Sequence, residues 1–253
     1  MTNTMSALLE IVTIVSEISG ITECKVETDS TKTTVTAIDN NRDVIVNGFL
    51  KDPIEELTGV IGLNRLETLK GLLSHTSFSD DSATIEMKTR EIAGVATPAE
   101  LKFLDSENQQ ASYRFMNAEV LPKDITFKGK WDISVSPSTS KIRELMAMGN
   151  LLSKSDELYY QVRTIKGDLR FYMGDEDSCS TYAFVTVDKT LKQDKSQVLN
   201  AGFFWPIANV NSTLKVAMNR ANFVMKFSSL GALMISFDTD LGSYEVILPA
   251  RKK

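Results

Sequence analysis

At 253 residues, with 42% hydrophobic and 24% charged residues, the chain can bury a core and is comfortable as two domains of about 125 residues each. Those values exclude a disordered segment, and a net charge of -5 excludes the uniformly basic surface of a generic nucleic-acid-coating protein. Cys24 and Cys179 are too far apart for a metal or redox spacing, so free thiols in a reducing compartment are expected. The N-terminus has no basic n-region, and Glu10 and Glu17 break the apolar run behind it; neither a signal peptide nor a membrane span is expected, and the location read from this is cytoplasmic.

Residues 4–18 place Met5, Leu8, Leu9, Val12 and Val15 on one face, with Ile11, Ile14 and Ile18 widening the stripe, which predicts a heavily buried helix without a cation. From Glu23 to Phe49 the period becomes strand-like, with a polar turn at Asp39, Asn40 and Asn41 before Val44, Ile45 and Val46. Residues 62–73 return to helical spacing, Leu63, Leu66, Leu69 and Leu73 inward and Arg65 and Lys70 outward. Strand-like pieces follow at 84–88, 100–103 and 111–116.

Residues 117–130 lack sustained periodicity and contain Pro122 and Gly129, as a connector between two packed units would. Domains are therefore expected over 1–118 and 131–253, joined by a linker at 119–130. After the linker the order repeats: a helix at 137–154 with Lys141 and Arg143 off its apolar face, then strands at 159–164, 168–173 and 182–187. A final helix is predicted over 211–227, capped by Ser212 or Thr213, with Leu214, Ala217, Met218, Ala221, Val224 and Met225 inward. Its opposite stripe, Lys215, Asn219, Asn222 and Lys226 with Arg220 to one side, holds cations and amides but no carboxylate. Strands at 233–237 and 244–248 close the chain, so that helix, strands, helix, strands occurs twice.

Charge follows the same pattern. The four predicted helices hold eight Lys or Arg (residues 65, 70, 141, 143, 154, 215, 220 and 226) against four Glu (10, 17, 67 and 144); with the chain at -5, the rest carries -9. Long cations and amides suit phosphate oxygens, a contact that does not read bases, although a solvated amphipathic face is the commoner meaning of such a stripe. Enzymatic chemistry finds no support. The single histidine, His75, follows a helix and has no motif partner; Asp80-Asp81 and Asp175-Glu176-Asp177 fall where turns are expected; no phosphate loop or nucleophile motif occurs. No catalytic residue, metal or cofactor is expected.

Length, the doubled pattern, Leu214 to Phe227 followed by Gly-Ala-Leu-Met-Ile-Ser-Phe, the ending Tyr-Glu-Val-Ile-Leu-Pro-Ala-Arg, Val46-Asn47-Gly48-Phe49 and Trp-Asp-Ile-Ser-Val-Ser-Pro-Ser-Thr-Ser-Lys-Ile-Arg-Glu-Leu together resemble the DNA sliding clamps. Within that family the chain is most similar to the two-domain clamps of phages, archaea and eukaryotes, phage clamps above all. The resemblance implies an α+β fold of two similar clamp domains, helices lining a channel and antiparallel sheets outside, closed as a homotrimeric ring around duplex DNA. It implies a polymerase processivity factor, loaded by a clamp loader, with Arg65, Lys70, Lys141, Arg143, Lys215, Arg220 and Lys226 supplying the positive field. It also implies that partner tails dock at Val120, Leu121 and Pro122 in the linker and at Ile247, Pro249 and Ala250 near the end. The first helix departs from the pattern, because clamp helices that face the duplex tend to be basic. A non-ring polymerase accessory factor, or another interaction scaffold, is the alternative.

Overall fold

The computed structural model describes residues 2–79, 83–92, 94–117, 120–121, 125, 127–155, 158–174, 181–189, 191, 199 and 202–252. Helix α1 (Thr2–Glu17) is followed by β1 (Glu23–Thr28), β2 (Thr33–Ile38) and β3 (Ile45–Leu50). Strand β4 (Gly59–Asn64) leads into α2 (Leu66–Ser74), the single turn α3 (Thr76–Ser79), β5 (Thr84–Ile92), β6 (Val95–Leu104) and β7 (Gln110–Arg114). Strand β8 (Ile133–Val135) then leads into α4 (Thr139–Leu152), β9 (Tyr159–Ile165), β10 (Asp168–Met173) and β11 (Ala183–Asp188). Finally β12 (Phe203–Pro206) leads into α5 (Ile207–Ala217), β13 (Ala221–Ser228), β14 (Ala232–Asp238) and β15 (Gly242–Pro249), and β16 (Arg251–Lys252) ends the chain. One unit, a helix and a three-strand meander, thus recurs four times, and in the last three a leading strand precedes the helix.

The leading strands stitch neighbouring units together. β4 pairs with β1, β8 with β13 and β12 with β9, each on the first strand of a meander. The third strands β3 and β15 also pair, Val46 opposite Val246, so both halves share one antiparallel sheet in the order β4-β1-β2-β3-β15-β14-β13-β8. Two smaller sheets, β11-β10-β9-β12-β16 and β5-β6-β7, complete the strands. α1 packs against α2 and α5, and α5 against α4, which makes one helical layer in the order α2-α1-α5-α4. The core lies beneath it: Leu8, Ile11 and Val15 of α1, Leu145 of α4 and Leu214 of α5 are fully buried with Val46, Phe227, Ile235 and Val246 of the large sheet.

The seam between the halves explains two features of the sequence. Gly48 on β3 lies opposite Tyr244 on β15, and a Cβ there would come within 2.7 Å of the Tyr244 ring, so only glycine leaves room. Glu10 breaks the apolar stripe of α1 because it reaches this seam, where its carboxylate accepts hydrogen bonds from Thr239 Oγ1 at 2.7 Å and from the Tyr244 hydroxyl at 3.4 Å.

Two predicted helices need correction. The predicted helix at 62–73 begins only at Leu66. Ile61 and Leu63 point inward from β4, Gly62 bridges Met116, and Arg65 occupies the N-cap with a left-handed backbone, φ 46°. The predicted helix at 211–227 is larger in error: α5 starts at Ile207 and stops at Ala217, and Ala221–Ser228 is a strand. Residues 214, 217 and 218 keep helical spacing, but Phe223, Met225 and Phe227 alternate, and the alternation prevails once a turn at Asn219-Arg220 and a left-handed Asn222, φ 50°, reverse the chain. Ser212 and Thr213 are not caps; both hydroxyls donate to Asn209 O from inside the helix, whose N-cap is Pro206.

Candidate nucleic-acid interface and linker band

The solvent face of the helical layer gathers most of the expected cations. Arg143 on α4 and Lys215 on α5 are exposed, Lys70 on α2 and Lys141 on α4 are half-buried, and Arg220 is exposed in the turn after α5. Arg65 stands at the entrance of α2, beside Tyr113. Lys226 departs from this set. It lies on β13 opposite Met234, which faces Ile247 and, beyond it, Ile45, a row on the sheet surface turned away from the helices. Within the observed helix boundaries the charge surplus disappears: α1, α2, α4 and α5 hold four cations (Lys70, Lys141, Arg143, Lys215) against four Glu (10, 17, 67, 144).

Pairing narrows the field further. Lys141 Nζ lies 2.6 Å from Glu144 Oε2, and Glu17 stands between Lys70, at 3.2 Å, and Lys215, at 3.7 Å. Exposed pairs of this kind contribute about 0–1 kcal/mol, so they leave the side chains available to a stronger anion. Among the described residues Arg143 and Arg220 have no ion pair. Between α1 and α5 a cleft of about 260 Å³ is lined by Thr13, Glu17, Lys215, Asn219 and Arg220. Its cations, amide and hydroxyl are donors that a phosphate diester accepts from, and the Glu17 carboxylate beside them is the group that would repel it.

The opposite face of the large sheet carries an apolar band. Leu121 is buried beside Gly62 of β4 and lines a small cavity with Ile38, and Ile38, Ile45, Ala232, Met234 and Ile247 form the band beneath Ile125, Phe127 and Trp131. The Phe127 and Trp131 rings lie 4.7 Å apart, and a Cβ on Gly129 would collide with Phe127, so the linker is pressed onto the sheet by its own aromatics. Ile247 is therefore covered from within the chain, while Pro249 and Ala250 are half-buried and Val120 and Leu230 are exposed. Pro122 lies outside the described residues. Arg251 fixes the C-terminal end by pairing with Asp43 and donating to the Tyr159 hydroxyl at 2.9 Å.

No protein-family model and no curated protein sequence matches the chain. Solved structures do. A PCNA from Thermococcus kodakaraensis superposes with a TM-score of 0.63 at 13% identity, covering 98% of this chain and 97% of that one. The proliferating cellular nuclear antigen of Entamoeba histolytica gives 0.61 at 12% identity, covering 98% and 96%. The PCNA of A. fulgidus, solved with the C-terminal region of FEN-1 bound, gives 0.62 at 10% identity, covering 98% and 96%. The chain has the sliding-clamp fold.

Of the remaining candidates for chemistry, His75 is held in structural contacts. His75 caps the end of α2, where its N–H donates to Leu72 O, its Nδ1 accepts from Ser77 N, and its ring packs 5.5 Å from Phe78. Asp80, Asp81, Asp175, Glu176, Asp177 and Cys179 lie outside the described residues. Among the described residues no group of three or more His, Cys, Asp or Glu is placed to hold a metal, and no helix is long and apolar enough to cross a membrane. The residue whose part the sequence reading missed is Glu17. Its signal was local: an acid in the last turn of a helix, the end at which the macrodipole disfavours it.

Proposed function

We propose that the chain is a sliding clamp, a non-catalytic processivity factor whose copies close into a ring around duplex DNA and tether a polymerase. The observation that carries this reading is that, of the four third strands, β3 and β15 pair with each other inside the chain and β7 and β11 stand at sheet edges among the described residues. Pairing β7 of one copy with β11 of the next repeats the internal seam and is head-to-tail, the geometry that closes rings. Six such domains, as in the clamps the sequence resembles, make a homotrimer, which a clamp loader opens; the phage type and a cytoplasmic setting come from the sequence alone.

The helical layer supports the channel assignment. Lys70, Lys141, Arg143, Lys215 and Arg220, with Arg65 at the rim, offer spread cations suited to a backbone contacted without base reading. The acidic remainder of the surface discourages DNA elsewhere. Lys226, on the opposite face, drops out of the set. The experiment is retention on circular DNA after loading. Arg143→Glu with Arg220→Glu shortens retention on every DNA sequence alike, and Lys226→Glu leaves it near the wild-type value. Equal retention by all three proteins over a salt series overturns the channel assignment. The partner site belongs at the margin of this apolar band, near exposed Val120 and half-buried Pro249 and Ala250, with buried Leu121 supporting it; Ile247, covered from within the chain, drops out of the contact set.

A further inference from the structure

Glu17 holds together cations from both halves of the molecule. It closes α1, and its carboxylate lies 3.2 Å from Lys70 on α2 and 3.7 Å from Lys215 on α5. The Ser19 N–H donates to Ser212 Oγ at 3.0 Å and so holds this end of α1 against α5. A carboxylate in the last turn of a helix gains nothing from the helix dipole. What it meets instead is two ammonium groups on the face assigned above to DNA, and it lines the cleft there together with Thr13, Lys215, Asn219 and Arg220.

We propose that Glu17 is a built-in counter-charge that sets how firmly the helical layer grips a phosphate backbone. With no phosphate near, it occupies Lys70 and Lys215, and a backbone that recruits either lysine must displace it. Affinity for a polyanion rises with the number of cations that release counterions on contact, and the same contacts deepen the wells that oppose movement along the strand. A carboxylate shared by two lysines lowers that number without removing the residues. The grip stays shallow enough for the ring to move, which the sequence resemblance did not anticipate when it marked α1 only as lacking cations. The proposal rests on the clamp reading and gives α1 a part in it.

The test is equilibrium association with a short blunt duplex, whose open ends admit a closed ring, measured by fluorescence anisotropy over a salt series. Glu17→Gln keeps the side-chain shape and removes the charge. It is expected to bind about three- to tenfold more tightly at low salt, as release of two partly exposed ion pairs allows. Its plot of log affinity against log salt should be steeper by about one to two. The gain should vanish when Lys70→Gln and Lys215→Gln are added. A second comparison does not depend on the Glu17 variant folding: in the wild-type background, Lys215→Gln should flatten the salt slope less than Arg143→Gln, because Lys215 is already paired and Arg143 is not. Wild-type binding with an unchanged slope in Glu17→Gln, a gain that survives loss of both lysines, or equal flattening by the two single variants overturns the counter-charge. No association of the wild type at any salt removes the DNA reading itself, and this proposal with it.

Discussion

Cys24 on β1 is 1% exposed, and burial pushes its thiol from the ordinary 9.0 up to about 12, with the charge of Glu23 adding a smaller push. Tyr113 moves the same way, from 10.0 to about 12, again chiefly through burial, although the Asn64 N–H, donating to its hydroxyl oxygen at 2.9 Å, pulls the other way. A folded state that holds a proton more tightly than the unfolded chain loses stability once pH passes the unfolded value, and goes on losing it up to the folded one. For Cys24 the window runs from 9.0 to about 12, for Tyr113 from 10.0 to about 12. Each group in its window costs at most about 1.4 kcal/mol per pH unit. Thermal melts from neutrality to about pH 11 should therefore show the midpoint falling above about pH 9, and falling less steeply for Cys24→Val. Identical pH profiles for the two proteins contradict the assignment. At this scale the sequence was only partly legible. The apolar faces of α1 and α4 were plain from spacing, but Glu10 finds Thr239 and Tyr244 at the far end of the chain, and no local pattern announces such a contact.

At the scale of elements, long periodic segments were readable and short ones were not. α1, α2 and α4, the first meander, the strands over 84–114 and the three strands over 159–188 stand within a few residues of their expected places. The leading strands β4, β8 and β12 escaped because three to six residues carry too few alternations to be told from a turn or from the start of the following helix. β13 was absorbed into α5 for a related reason: Leu214, Ala217, Met218, Ala221, Val224 and Met225 satisfy a helical period, and only the strand register beside β8 and β14 decides otherwise. The described residues of the segment expected as a linker combine packing with exposure. Its apolar side chains fasten it to the sheet, yet Pro249 and Ala250 beside it stay half-buried and Val120 is open to solvent. A partner's apolar tail that docks there adds to an existing apolar band, and loss of a central contact costs roughly 2 kcal/mol. Leu121→Ala with Pro249→Ala is expected to leave oligomer size unchanged and to weaken polymerase binding by about tenfold or more. Undiminished binding, read by surface plasmon resonance on the folded double variant, moves the partner site off this margin.

The whole molecule depends on what the fourth repetition of one unit leaves open. The doubled order of helices and strands was visible in the sequence, but the deeper fourfold unit was not, because its leading strands were not recognised and identity between units is low. The assembly proposed above is built on the finer repeat. In β7 the direction of each N–H can be worked out from its ends: Phe115 N donates back to Ala99 O, in line with β6, while Met116 N donates away from β6, to Gly62 O. With the strand's twofold alternation, the N–H groups of Ser112 and Arg114 face the open edge and that of Tyr113 faces β6. Proline at residue 112 therefore deletes a donor from the edge while sparing the ladder to β6. On the partner strand β11, Phe184 is 44% exposed, an apolar ring that a neighbouring strand would cover. Light scattering at micromolar concentration should find the wild type as a trimer and Ser112→Pro as a monomer with an intact far-ultraviolet spectrum. The same substitution should abolish retention on circular DNA while leaving partner-tail binding measurable, since the linker band lies within one copy. A wild-type monomer under these conditions favours the non-ring accessory factor; a trimer undisturbed by Ser112→Pro places the subunit contact on an edge other than β7.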